Sequence, residues 1–486
     1  MDGIKNEIIG SLADAGILVS PDALSEIMKT GNPSSIVGHV IAASISPKSG
    51  ILRLDSDEIQ KIILRNERKT VRNNDNFSII NDFFKSLGTK GDVEDFTAYM
   101  LSRYKKLSKL IFSVHDFHEY TRISDLVEDK KEQHVIGMVQ DVVPLPNGNK
   151  ILIVDDPTGI LEIFIPADSD FAKEVFLKDE VIGIKGKYAV KQVKNRTHNS
   201  MYPSDIVRPA LFKQKRNSAK NDIWALFISD IHLGSNTFLK KEWEYFISWL
   251  EGSFRFPDAD SIREKLGYII IVGDIVDGVG IYPGQEADLE IDDLREQHII
   301  LAEYLRRIPK NVKIIILPGN HDAVRGAEPQ PPIPKRFQSL FPENCIFTTN
   351  PSYIDIEGVK VLAYHGRSMD EFIMQFDNIN YERPILAMEE MIKRRHLAPS
   401  YGGKIPLAPE REDYLVMDNP MDIFVTGHVH TYDVKDYQGM LLINTSCWQG
   451  QTEYQKTNGI EPYPGIVTAV NLKEWKVKKI DFRNLV

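Results

Sequence analysis

Five runs of β-branched and aromatic residues in the second half of the chain each end on an aspartate, asparagine or histidine, and this repeated arrangement restricts the fold more than any other feature. Trp224–Ile228 leads into Ser229-Asp230-Ile231-His232, and Tyr268–Val272 into Gly273-Asp274-Ile275-Val276-Asp277. Val312–Leu317 leads into Pro318-Gly319-Asn320-His321-Asp322, Val361–Tyr364 into His365-Gly366, and Asp422–Val425 into Gly427-His428-Val429-His430. Helical stretches separate the runs, so a layered α/β fold is expected over residues 222–486. Open α/β sheets place ligand sites at the carboxyl edge of their strands. Five of the 12 histidines of the chain fall in these strand ends. One Asp-x-His or His-x-His is usually an ordinary loop; five such ends in one order define a candidate metal centre.

Mixed imidazole and carboxylate donors suit Mn, Fe or Zn better than Mg, which prefers an all-oxygen shell. Two such ions about 3.5–4 Å apart can clamp a phosphate, lower the pKa of a shared water and stabilise in-line displacement at phosphorus. Gly273, Gly319 and Gly427 fit positions where the backbone must turn tightly beside the ions.

A chain of 486 residues exceeds what one core usually organises, so several domains are expected. Residues 1–65 carry apolar side chains at helical spacing (Ile8, Leu12, Ile17, Leu24, Ile27, Met28) and a helix start at Ser20-Pro21-Asp22, which predicts a small helical domain. Residues 66–127, rich in Asn, Lys and Asp, read as a tether. Within it, Phe77-Ser78-Ile79-Ile80-Asn81-Asp82-Phe83-Phe84 is similar to the short helical peptides that plug into sliding clamps, although the leading Gln is missing. A helix burying Ile80, Phe83 and Phe84 against its own domain is the preferred reading. Over residues 128–212, short β-type runs separated by Pro146-Asn147-Gly148-Asn149 and Asp156-Pro157-Thr158-Gly159 predict four strands, with room for a fifth, in a small barrel of the OB type. Residues 213–221, including Lys213-Gln214-Lys215-Arg216-Asn217, form a basic linker.

The net charge of −10 argues against a chain that grips nucleic acid through its overall field. No apolar run approaches the roughly 20 residues of a membrane span, and Met1–Leu18 lacks a secretory pattern, so a cytoplasmic protein is expected. Cys345 and Cys447 have no metal or disulfide spacing and read as free thiols.

In order, D-x-H, G-D-x-x-D, G-N-H-D, a single His and G-H-x-H are the blocks of the calcineurin-like metallophosphoesterase superfamily, which this half of the chain resembles. The resemblance implies one divalent ion held by Asp230, His232, Asp274 and His430, and a second held by Asp274, Asn320, His365 and His428, with Asp274 bridging. It also implies that His321 faces the scissile phosphate as an acid or stabiliser of the leaving oxygen, oriented by Asp277. Mn²⁺ is the expected ion, with Fe or Zn as alternatives.

Between the blocks stand Ala323-Val324-Arg325-Gly326-Ala327-Glu328-Pro329-Gln330-Pro331, Tyr364-His365-Gly366-Arg367-Ser368, Lys393-Arg394-Arg395-His396-Leu397-Ala398-Pro399 and Tyr401-Gly402-Gly403. Together with the upstream barrel, they resemble the small subunits of archaeal D-family DNA polymerases, from about residue 130 onward. That resemblance implies a large catalytic subunit as partner, single-stranded or primer–template DNA as ligand, and a 3′ to 5′ proofreading nuclease. Arg325, Arg367, Lys393, Arg394, Arg395 and His396 are candidates for contacting the DNA backbone, because phosphates are typically met by Lys and Arg. For Lys393–His396 a subunit-contact patch is the alternative. Two other functions compete. A catalytically silent scaffold has no use for Asp277 and His321, and a stand-alone phosphatase leaves the barrel and linker unexplained. The expected architecture is a layered α/β (α+β) metallophosphoesterase sandwich with an upstream OB-like β-barrel and a small N-terminal helical domain.

Overall fold

The computed structural model describes residues 8–13, 17–29, 37, 52–54, 76–80, 83–113, 117, 119–193, 196–210 and 215–483. They belong to two compact units, Met1–Asp75 and Asn76–Val486. In the first, Ile8 and Leu12 bury against Ala23, Leu24 and Ile27 of the helix Pro21–Lys29. Ser20 Oγ accepts from Ala23 N at 3.1 Å, as the helix-start signal predicts. The unit is not wholly helical, however. Strand β1 (Ile17–Val19) pairs in parallel with β2 (Leu52–Leu54), a contact between distant segments that helical spacing cannot reveal.

The second unit begins by overturning the tether. Phe77–Ile80 is not a helix but a strand, β3, paired antiparallel with β13 (Ser352–Ile356) of the phosphoesterase region. Asn81 and Asp82 lie outside the described residues, and Phe83 stacks on Tyr414 with centroids 4.4 Å apart. Further on, Val93–Phe112 is a 20-residue helix whose Asp92 cap accepts from Asp95 N. Its Tyr99, Arg103, Leu107 and Ile111 recur every four residues and are all buried, so one face of the helix is committed to packing.

Five strands, β4 (Gln133–Pro144), β5 (Lys150–Asp156), β6 (Gly159–Ile165), β7 (Val181–Val193) and β8 (Arg196–Val207), close into a barrel in the order β4-β5-β6-β8-β7. Alternate residues such as Leu152, Val154, Leu161, Ile163, Ile182 and Ile184 fill its interior. The linker that follows is bound rather than solvated. Lys213 and Gln214 lie outside the described residues, but Arg216 donates to Gly439 O at 3.0 Å and sits 4.8 Å over the Trp475 ring.

Beyond it, β9 (Trp224–Ile228), β10 (Leu266–Val272), β11 (Lys313–Leu317) and β12 (Cys345–Phe347) are parallel, joined by the antiparallel β18 (Ile466–Asn471) and β19 (Val477–Asp481) in the order β12-β11-β10-β9-β18-β19. A second sheet runs β16 (Asp433–Tyr437), β17 (Met440–Asn444), β15 (Ile423–Thr426), β14 (Val359–Ala363), β13, β3. Strands apolar on both faces must be covered on both. Leu226, Ile228, Ile269, Ile271, Ile314 and Ile316 accordingly face Trp243, Phe246 and Leu301 of the outer helices. The intervening Ala225, Phe227, Ile270, Val272, Ile315 and Leu317 meet Ile354, Val361, Ile423 and Val425 of the other sheet. Phe372, Met388 and Met391 cover that sheet's far side. The result is a mixed α/β sandwich of helices, two sheets and helices. Both cysteines are free, and no helix among the described residues is long and apolar enough to cross a membrane.

Candidate metal centre

Each strand that the sequence singles out stops just short of a candidate ligand. Asp230 lies two residues past Ile228, Asp274 two past Val272, His365 two past Ala363 and His428 two past Thr426. At that point the backbone leaves the extended region abruptly. Asp230, His232, Asp274, His428 and His430 all have positive φ, between 49° and 71°. Non-glycine residues avoid this region, and each such conformation costs about 1–3 kcal/mol unless the surroundings hold it. Five of the seven ligand candidates carry it, so the fold stores strain where it gathers these donors.

The gathering is close. Among the described residues, three acid–imidazole groups have ligand atoms within 4.8 Å of one another: Asp230 with His232 and His430, His232 with Asp274 and His321, and Asp274 with His365 and His428. Asn320 joins the last, its Oδ1 3.1 Å from His365 Nε2. His321 falls in the second group, although the sequence reading keeps it off the ions.

Each carboxylate is half committed. Asp230 Oδ2 accepts from His428 N at 2.9 Å, and Asp274 Oδ1 from His321 N at 2.8 Å. Their other oxygens face imidazoles: Asp230 Oδ1 is 3.5 Å from His430 Nε2, and Asp274 Oδ2 is 3.2 Å from His365 Nε2 and 3.8 Å from His232 Nε2. Asp230 Oδ1 is buried without a hydrogen-bond partner. A buried orphan oxygen aimed at imidazole nitrogens is what a cation site presents, so the donor set fits divalent ions. Asp274 belongs to both the second and the third of these groups.

Partners behind the ligands fix their direction. His365 Nδ1 donates to Val272 O at 2.9 Å, and His232 Nδ1 to Asp277 Oδ1 at 2.9 Å, which leaves each Nε2 facing the centre. Burial alone would lower the His365 pKa, but the Asp274 carboxylate beside it raises it to about 10. Asp322 closes the run Gly319-Asn320-His321-Asp322, which by itself gives it no role. Here it accepts from Gly319 N at 2.8 Å and Ile275 N at 3.1 Å, tying two ligand loops together, and burial followed by the Asp274 charge pushes it up to about 7. Two glycines are required by crowding: a Cβ on Gly319 would collide with Asp274 Oδ1, and one on Gly427 would lie 2.5 Å from Asp230 Oδ2.

The role expected of Asp277 needs correction. Its carboxylate is 4.0 Å from His321 Nδ1, too far for a hydrogen bond, and is bonded instead to His232 and to Gln285 and Gln449 at 3.1 and 3.2 Å. The main-chain carbonyl of Asp277 takes His321 Nδ1, at 2.8 Å. Gln285 and Gln449 belong to no sequence block, and nothing in their spacing could have marked them.

Half of the expected DNA contacts are also corrected. Arg394, Arg395 and His396 are 2%, 4% and 1% exposed. Arg394 pairs with Glu180 of the barrel at 2.6 Å and donates to Val175 O at 2.8 Å; Arg395 donates to Met417 O; His396 bonds Asp413 at 2.9 Å. Asp413 in turn holds the buried Arg103 at 2.7 Å. These groups join the barrel and the long helix to the sandwich. Arg367 is partly exposed and donates to Gly326 O at 2.7 Å, Arg325 pairs with Glu410 at 2.7 Å, and Lys393 is partly exposed.

Residues 223–432 match the calcineurin-like phosphoesterase family. The DNA polymerase II small subunit of Archaeoglobus fulgidus is 39% identical over 94% of this chain and 87% of its own length. The chain belongs to the DNA polymerase II small-subunit family. Two further members agree with that membership: the small subunits of Thermoplasma acidophilum, 36% identical over 98% of this chain and 93% of its own, and of Methanothermobacter thermautotrophicus, 35% identical over 96% and 98%. In this member of the polymerase small-subunit family, the phosphoesterase blocks converge on one buried centre.

Proposed function

We propose that the chain is the nuclease subunit of a heterodimeric replicative polymerase, hydrolysing single-stranded DNA from the 3′ end with two divalent ions, Mn²⁺ foremost. The observation that carries the reading is the buried orphan oxygen of Asp230 amid His232 and His430, with Asp274 reaching toward both ligand groups. When bound, the ions would bind the phosphate, lower the pKa of a water and stabilise charge at phosphorus. Asp230, His232, Asp274 and His430 would hold one, and Asp274, Asn320, His365 and His428 the other. His321 gives Nδ1–H to a carbonyl, which can only accept, so Nε2 is left to meet the leaving oxygen of a substrate. Asp277 positions His232, while its own backbone positions His321.

The relatives are named as small subunits, and we infer a large catalytic subunit as partner, with the five-stranded barrel, read as OB-type, in the joint assembly. A silent scaffold is the second reading, favoured by the burial of Arg394, Arg395 and His396, which removes three cationic candidates from DNA. The test is degradation of 3′-labelled and 5′-labelled single strands with Mn²⁺, with and without the large subunit. Mononucleotides should leave from the 3′ end. Asp274→Ala should lose both metals and all activity, whereas His321→Ala should keep both metals and lose turnover. Absence of cleavage under every condition by a metal-loaded chain would leave only the scaffold.

A further inference from the structure

The loop after Asp277, Gly278-Val279-Gly280-Ile281-Tyr282-Pro283-Gly284, exposes a run of apolar side chains beside the centre. Val279, Ile281 and Tyr282 are 40%, 37% and 40% exposed. The Tyr282 ring stands at 65° to the His321 ring, with centroids 6.5 Å apart. Single exposed apolar residues are ordinary, but a contiguous group of them marks a binding surface.

This group is held firmly from below. Gln285, fully buried, accepts from Ile281 N at 2.9 Å and donates to Asp277 O at 2.9 Å. Gln297, also fully buried, accepts from Gly278 N at 3.0 Å and donates to Ile291 O at 2.7 Å. The Tyr282 hydroxyl donates to Asp288 at 2.9 Å. Gly278, Gly280 and Gly284 have φ of 74°, 76° and 84°, so left-handed turns set where the apolar side chains point. Buried amides thus fix the loop from within, while its outer surface contributes no core.

We propose that Tyr282, flanked by Ile281 and Val279, is a stacking platform for the terminal nucleobase of a single strand whose end lies at the metal centre. The proposal rests on the nuclease reading and adds how the strand is held. A chain of net charge −10, with three of its cationic candidates buried, attracts phosphates weakly. Base stacking needs no cation and tolerates any sequence, because every base has a π-face. The ring lies next to His321, so a stacked base would sit beside the scissile bond. A paired terminus must first unstack to reach the platform, which favours frayed or mismatched ends.

The test is the affinity of the full chain, alone and with its large subunit, for a 5′-fluorescent oligothymidylate, read by anisotropy in EDTA so that no turnover intervenes. Tyr282→Ala should weaken binding about tenfold, the loss of one stack, whereas Tyr282→Phe should stay near wild type. A strand ending in an abasic 3′ nucleotide should bind wild type and Tyr282→Ala alike. Equal loss on both strands, or wild-type affinity in Tyr282→Ala, would overturn the platform. So would a variant that weakens association with the large subunit instead, since the loop would then be a subunit contact. Because binding is read without turnover, an inactive wild type would sink the nuclease reading while the platform is still judged by its own affinities.

Discussion

Replacing Asp277 by Asn separates two accounts of how this residue works. The carboxylate is 2% exposed; Oδ1 takes His232 Nδ1 at 2.9 Å and Gln449 at 3.2 Å, and Oδ2 takes Gln285 at 3.1 Å. Asn keeps the size and removes the charge. A hydrogen bond to a charged partner contributes about 1.5–3 kcal/mol, and loss of the group that orients a ligating histidine lowers metal affinity by about 10-fold to 100-fold. The ion held by His232 should therefore bind more weakly by about that factor. The other ion, held by Asn320, His365 and His428, should keep its affinity. Calorimetric titration with Mn²⁺ should resolve the two. At saturating Mn²⁺ turnover should recover to near wild type, because the carbonyl that holds His321 survives the substitution. Unchanged Mn²⁺ affinity with turnover still depressed at saturating metal would refute this, and would mean that the Asp277 carboxylate acts through His321 after all.

Other perturbations probe the frame around the centre. Arg394→Ala removes the 2.6 Å partner of the buried Glu180, which keeps Arg208 at 3.3 Å, and should cost about 1.5–3 kcal/mol of stability in denaturant titration, with DNA affinity unchanged if the residue is a joint and not a contact. His396, pushed down to about 4 by burial and then by Arg103, stays neutral in the fold while an unfolded chain protonates near 6.5. Stability from this group is thus complete above pH 6.5 and declines as pH falls toward 4, by about 3 kcal/mol in all. Urea midpoints at pH 7 and pH 5 should show that slope, reduced in His396→Gln. Gly319→Ala must displace the Asp274 carboxylate, so metal content should drop in elemental analysis while far-UV circular dichroism is retained.

The candidate metal centre is legible in the sequence because its proposed ligands sit at strand ends, and a strand is announced by the residues next to it. Asp230, Asp274, Asn320, His365 and His428 each follow such a run, and their order restricts the chemistry before any coordinate is known. Other features depend on partners far away in the chain. Phe77–Ile80 carries an apolar pattern compatible with helix or strand, and only the free edge of Ser352–Ile356 decides for strand. Lys393-Arg394-Arg395-His396 reads as a basic surface from its composition, yet an ion pair of Arg394 with Glu180 and hydrogen bonds of Arg395 to Met417 O and of His396 to Asp413 turn most of it inward. Asp277 shows the same limit at the scale of one side chain. Its place in the block fixes that it lies near His232 and His321, but which of them the carboxylate reaches is set by the backbone turn and by Gln285 and Gln449. Periodicity and motif order report what neighbours along the chain can do. The burial of a charge and the direction of a hydrogen bond are decided by groups that only folding brings within reach.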